Sequence, residues 1–367
     1  MPTISLCMIV KNEEEVLARC LNSARDLVDE IIIIDTGSED KTKEIARQFT
    51  QHVYDFEWID HFGAARNYAF SKGSCEYLMW LDADDIILPD DAAAFRDLKA
   101  SLDSSVDTVM MKYNIAFDEQ GNPTFSYYRE RVMRRCPRAR WEGAIHEVVS
   151  PFGKIVHAPI AVTHRRKGKT DPLRNLRLFE GLLDRGEILS PREQFYYARE
   201  LFYNARYKDA VAAFEDFLNE GRGWVENNIE ACRVLAQCLQ ALGQGDRALI
   251  ALLRSFSYDV PRAEVCCELG YHYFVQQAYE ASIFWYKAAL LCTRKDTSGA
   301  FCLEDCYGYL PYLQLSVCYD RLGQLETAIT HNEEAGKMRP HSAAYLHNKK
   351  YFDDQLKALN TGIEAKS

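Results

Sequence analysis

The period of the hydrophobic pattern changes part-way along this 367-residue chain, and that change constrains the fold more than any other feature. Up to about Gly168, short apolar runs alternate with helical stretches. Ile4–Val10 (ISLCMIV) is followed by a helical pattern from Glu13 to Arg25. EIIIIDTGS turns polar at Asp35, and Ser38 is the expected N-cap of the helix EDKTKEIARQF. HVYDFEW precedes the helix FGAARNYAFSKG, and CEYLMWLDADD follows it. Continuous apolar strands separated by helices predict a parallel sheet covered on both faces. Such sheets bind ligands beyond the carboxyl ends of their strands. Three of those ends carry polar groups: Lys11-Asn12-Glu13, Asp35-Thr36-Gly37 and Asp82-Ala83-Asp84.

Beyond Pro191 the strand signal disappears and helical hairpins recur in four units. Ala198, Leu201, Ala210 and Phe214 of the first correspond to Ala236, Leu239, Ala248 and Leu252, then to Gly270, Tyr273, Ser282 and Tyr286, then to Ser316, Tyr319, Ala328 and Asn332. Small residues where helices cross, aromatics in the gaps and a period near ~34 residues describe tetratricopeptide (TPR) repeats. The insert Thr293–Asp305 reads as a loop. These patterns predict an α/β domain over residues 1–170, a helical linker over 171–190, TPR-like repeats over 191–355 and a tail over 356–367.

Composition excludes several classes. A net charge of −10 argues against wholesale binding to nucleic acid or an anionic membrane. No apolar run approaches the ~18 residues of a membrane span, and the start MPTISLCMIVKNEEE lacks a signal-peptide pattern, so the expected compartment is the cytoplasm. The twelve cysteines form no CxxC pair and sit mostly in apolar segments, as reduced core thiols do.

Asp82, Asp84 and Asp85 crowd the end of an apolar strand. Bare, they would repel one another, so a divalent cation or a set of N–H donors is expected beside them. Oxygen ligands favour Mg²⁺ or Mn²⁺ over zinc. The alternative is that Asp84 or Asp85 caps the helix beginning near Pro89.

The motifs MIVKNEEEVLARCLNS, IIIIDTGSEDKT, ARN and WLDADD, in that order, resemble the opening of family-2 glycosyltransferases, over residues 3 to about 100. The resemblance implies a GT-A (Rossmann-like) nucleotide-sugar-binding domain. It implies that the first strand end (Val10, Asn12, Glu13) and Asp35 hold base and ribose, that Asp82 and Ala83 contact the nucleotide, and that Arg66 approaches the phosphates. Asp84 would ligate a metal bridging the diphosphate, with His164 of IAVTHRRKGK as a further ligand. Arg131 and Arg134 would neutralise the leaving diphosphate, though a strand edge explains them as well; Lys167 and Lys169 read as a solvated connection. An inverting transfer needs a carboxylate to take the acceptor's proton. By the resemblance, Glu147 in RARWEGAIHEVVSP is that base and Glu142 the alternative, while His146 orients the base, touches the substrate or is a satisfied core residue.

The whole layout is similar to bacterial transferases of the sublancin S-glycosyltransferase type. It implies a UDP-sugar donor, Mn²⁺ or Mg²⁺, and a peptide or protein acceptor (Cys or Ser) recruited by the repeats, which also suit homodimerisation. A cell-wall glycan or lipid acceptor, and a non-catalytic repeat scaffold carrying a degenerate transferase domain, are the alternatives. A nucleotidyltransferase is disfavoured because MIVKNEEE lacks a Gly-rich phosphate loop.

Overall fold

Two-sided burial of the first strand organises everything that follows. In β1 (Ile4–Val10), Ile4, Leu6, Met8 and Val10 point to one core and Cys7 to the other, the alternation that period-two side chains impose. The computed structural model describes residues 1–117, 121, 123–165, 171–294 and 301–364. It divides into two units at Glu200/Leu201.

The first unit contains β2 (Glu30–Asp35), β3 (Val53–Asp55), β4 (Tyr77–Met79), β5 (Asp85–Ile87), β6 (Val106–Phe117), β7 (Pro123–Arg134), the short pair β8 (Trp141–Glu142) and β9 (Val148–Val149), and β10 (Lys154–His164). The main sheet runs β3-β2-β1-β4-β7-β6-β10-β5. β1 is parallel to β2 and β4, whereas β7 is antiparallel to β4 and β6, and β5 antiparallel to β10. The expected parallel sheet is therefore mixed, because β7 and β5 return against their neighbours. On one face lie α1 (Leu17–Ala24) and α4 (Pro89–Ser101), through Leu17, Cys20, Leu21 and Phe95; on the other lies α3 (Phe62–Lys72), through Ala69 and Phe70. The parallel pairing of β1, β2 and β4 puts the ends of all three on one edge of the sheet.

Two local expectations are corrected. α2 (Thr42–Ala46) begins after Lys41 rather than at Ser38, whose hydroxyl instead accepts the Asn12 N–H. Neither Asp84 nor Asp85 caps α4: its N-cap is Leu88, with Pro89 at the first helical position, where a missing N–H costs nothing. The first unit also extends past residue 170. Residues from α5 (Arg174–Asp184) and the segment that follows, Phe179, Leu182 and Leu189, bury Ala144 and Ile145. The division between units falls inside α6 (Pro191–Tyr203).

The second unit is helical: α7 (Tyr207–Glu220), α8 (Val225–Ala241), α9 (Gly245–Arg254), α10 (Ala263–Val275), α11 (Tyr279–Leu291), α12 (Tyr309–Arg321), α13 (Leu325–Met338) and α14 (Ala343–Glu364). The repeat positions read from the sequence are core positions: Leu201, Ala210, Phe214, Ala236, Leu252, Ser282, Tyr286, Ser316, Ala328 and Asn332 are all buried. Gly270 explains the demand for a small residue, since a Cβ there would lie 2.8 Å from the Tyr286 ring. Residues 295–300 of the insert are outside the described set, and Glu304–Tyr307 form a 3₁₀ turn. Helix α14 runs through residues 356–364, where a tail was expected. All twelve cysteines are free thiols. Among the described residues, no helix is long and apolar enough to cross a membrane.

Candidate functional site

The polar groups expected at the strand ends gather along one edge. Asp35, at the end of β2, accepts the backbone N–H groups of Gly37 and Ser38 on Oδ1, at 3.0 and 2.9 Å, with Lys43 Nζ at 3.6 Å. Its Oδ2 is buried without a hydrogen-bond partner. The loop after β1 is laced to the loop after β2: Glu39 N–H donates to Asn12 Oδ1 and Glu13 N–H to Thr42 Oγ1. The Val10 carbonyl accepts the Thr36 N–H. Asn12 adopts φ 55°, a left-handed conformation that asparagine tolerates.

The acidic turn after β4 splits in two directions. Asp82 turns to Arg66, which donates from Nη2 to Asp82 Oδ1 at 2.7 Å and from Nε to Glu147 Oε1 at 2.5 Å. The Arg66 guanidinium lies against the rings of Trp80 and Trp141, at 5.1 and 4.8 Å, and the two rings meet each other edge to face at 5.1 Å. Burial pushes the Asp82 carboxyl up, but the Arg66 charge outweighs it and holds the group below its usual range. Asp84 turns to His164, 3.3 Å away.

Asp85, read from the sequence as one of three crowded carboxylates or as a helix cap, is the buried centre of the turn. Oδ2 accepts the Asp82 N–H at 3.1 Å and lies 3.2 Å from Arg131 Nη1, while Oδ1 accepts Tyr113 O–H at 2.9 Å. His164 comes to it because β10 and β5 pair antiparallel with His164 opposite Asp85. One ligand atom each from Asp84, Asp85 and His164 lies within 4.8 Å of the others. Two carboxylates and one imidazole suit a hard or borderline divalent ion such as Mg²⁺ or Mn²⁺. Hydrogen bonds to Asp84 and Asp85 raise the His164 imidazole to about 10.

Glu147 is delivered by the segment after β8. Asn67 exchanges two hydrogen bonds with the Trp141 backbone, at 2.8 and 2.9 Å, and the Phe62 N–H donates to the Ala144 carbonyl. Gly63 permits this approach of α3, since a Cβ there would meet the Gly143 carbonyl oxygen at 2.5 Å. Glu142 is exposed on β8.

The structure thus brings Val10, Asn12, Glu13, Asp35, Arg66, Asp82, Ala83, Asp84, Glu147 and His164 to neighbouring loops and strand ends. It does not bring Arg134 with them. Arg134 pairs in register with Tyr77, the first residue of β4, and bonds Asp107, Tyr77 Oη and the Val106 carbonyl at the other edge. Arg131, expected at the diphosphate, is buried against Asp85 and over the rings of Trp80 and Tyr113. Lys167 and Lys169 lie outside the described residues. Sequence reasoning gave no role to Tyr113, Trp80, Trp141 or Asn67, although the last three lie within the motifs WLDADD, RARWEGAIHEVVSP and ARN.

Residues 5–150 match the model of the glycosyl transferase family 2. A TPR repeat-containing protein of Synechococcus elongatus is 35% identical over 150 residues, 41% of this chain and 36% of that protein. The SPbeta prophage-derived glycosyltransferase SunS of Bacillus subtilis is 27% identical over 257 residues, 64% of this chain and 59% of that protein. An uncharacterized glycosyltransferase of Rickettsia felis is 35% identical over 87 residues, 23% of this chain and 30% of that protein. The matches thus span less than two thirds of the length of each of these relatives. The family 2 match ends at residue 150, before His164 and before α5 and α6.

Proposed function

We propose that this chain is a metal-dependent, inverting glycosyltransferase that moves a sugar from a UDP-sugar to an acceptor. The observation that carries the reading is the Asp84–Asp85–His164 cluster, set on the same sheet edge as Asp35 and joined through Asp82 and Arg66 to Glu147. Asp35 Oδ2 is a buried acceptor without a donor, which suits the imide N–H of uracil and supports a uridine nucleotide. Asp84, Asp85 and His164 would hold Mn²⁺ or Mg²⁺, which when bound neutralises charge on the departing diphosphate. Arg66, packed against the two tryptophans, bridges Asp82 and Glu147. Glu147 takes the acceptor's proton as its oxygen or sulfur attacks the anomeric carbon. The helical repeats, whose kind of surface holds extended polypeptide, support a peptide or protein acceptor.

The test is a thermal-shift screen over UDP-sugars with and without Mn²⁺, since a ligand that binds only the native state raises the melting point. Asp84→Asn should lose the Mn²⁺-dependent part of the shift. Glu147→Gln should keep the shift and lose transfer. Absence of any shift with UDP and Mn²⁺ in the wild type refutes the reading.

A further inference from the structure

The residue before Glu147 is held in a left-handed conformation that is uncommon for any residue with a side chain. His146 has φ 52°, and a non-glycine residue in a sparsely populated backbone region costs about 1–3 kcal/mol unless its surroundings enforce it. Here the enforcement comes from one helix. Arg192 Nε donates to the His146 carbonyl at 3.0 Å, Glu193 Oε1 accepts the Ala144 N–H at 3.1 Å, Tyr196 stacks on the imidazole at 4.2 Å, and Glu200 Oε1 lies 2.8 Å from His146 Nε2. Residues 192, 193, 196 and 200 share a face of α6 by helical spacing. Asn175 Nδ2 of α5 donates to the same Glu200 oxygen at 3.0 Å. Burial raises the Glu200 carboxyl, and the bonds from His146 and Asn175 outweigh it and keep it ionised.

The left-handed residue decides where its neighbour goes. The His146 side chain projects to α6, and the Glu147 carboxylate projects the other way, onto Arg66 Nε at 2.5 Å. Without the anchor, relaxation of His146 to a common conformation would rotate Glu147 away from Arg66. We infer that Glu200, acting through His146, is a positioning residue that aims Glu147, so that the working site extends 50 residues beyond the end of the family 2 match. This rests on Glu147 being the base, and the experiment separates the two claims.

Full-length wild type, Glu200→Ala, Glu200→Gln and Glu147→Gln are compared in Mn²⁺ with UDP-glucose, following UDP release with water as acceptor. There the water oxygen bonds the anomeric carbon, the bond to the diphosphate breaks, and the water proton passes to Glu147. Amide exchange of the peptide spanning residues 142–150 is read in parallel. Glu200→Ala should lower kcat by about 10–100-fold, as loss of an orienting partner does, with KM for UDP-glucose within about twofold and faster exchange in that peptide. Glu200→Gln, which still offers an acceptor to His146 and Asn175, should stay within about threefold of wild type. Wild-type exchange and turnover in Glu200→Ala overturn the inference, as does a Gln variant that fails with the Ala variant and loses UDP affinity, the mark of a merely structural role. Wild-type turnover in Glu147→Gln overturns the base assignment instead. If UDP-glucose is not turned over at all, the exchange comparison decides, and unchanged exchange in Glu200→Ala overturns the inference.

Discussion

Asp85→Asn tests the centre of the acidic turn, because it removes one charge and almost no volume. Asp85 and Arg131 both have fully buried side chains, 3.2 Å apart. Arg131 Nη1 donates to Asp85 and to the Trp80 carbonyl, while Nε and Nη2 are buried without a hydrogen-bond partner, so Asp85 is its counter-ion. An asparagine can present its oxygen to Arg131 or to Tyr113 O–H, but not both as the carboxylate does, and neither choice neutralises the guanidinium. Removing one partner of a buried ion pair costs about 3–5 kcal/mol. At about 2–4 °C per kcal/mol for a unit of this size, the melting midpoint of the first unit should fall by roughly 6–20 °C. Trp80, 3.8 Å from the Arg131 guanidinium, lets intrinsic fluorescence report that transition, and urea titration gives the free-energy change. Asp85→Asn combined with Arg131→Met should recover most of the loss, since both charges are then gone. By contrast Asp84→Asn, whose carboxylate is 21% exposed and paired with His164, should cost less than Asp85→Asn, because water reaches the uncompensated partner. A single variant melting within about 2 °C of wild type, or a double variant no better than the single, refutes the reasoning.

Arg66→Met should destabilise the first unit by about 2–4 kcal/mol, mostly from the Glu147 arm, because the Asp82 side chain is 34% exposed and water screens it; an unchanged urea midpoint counts against the bridge. Gly63→Ala forces a methyl to within 2.5 Å of the Gly143 carbonyl oxygen and should cost about 1–3 kcal/mol as α3 backs away, with faster amide exchange at Phe62; wild-type exchange there argues against the contact. The Glu200 carboxyl sits below its ordinary 4.5. Its contribution to stability is therefore complete above that value and lost as pH falls through the lower, folded value. Urea midpoints of wild type should fall more steeply than those of Glu200→Gln on acidification below about 4.5, and parallel curves contradict the shift.

Motifs with short-range physics were legible early. The apolar runs ending at Val10, Asp35 and Asp82 identified the sheet and the edge that carries the candidate site, because period and polarity are local properties of a strand. The repeat positions Ala210, Ala236, Gly270, Tyr286 and Asn332 were readable for the same reason: close helix packing selects residue size at fixed spacing. Ser38 misled, since a hydroxyl near a helix start can serve any nearby N–H, and the loop after β1 supplied the Asn12 N–H. Arg134 misled because strand direction was unknown. In an antiparallel β7 the arginine three residues after Arg131 travels toward the far edge.

What this chain determined by itself is where burial and polarity alternate, and therefore which segments become strands, which become repeated helices, and which acidic residues stand at a strand end. Tertiary structure alone decided which of those acids act together. Antiparallel pairing of β5 with β10 carried His164 across 79 residues to Asp85, a buried arginine turned Asp85 from a cap into a keystone, and α6 set the aim of Glu147 from 53 residues away through His146 and Glu200. Contacts at such separations depend on strand register and direction, which no local pattern encodes, whereas the propensities that build each strand and helix act within a few residues.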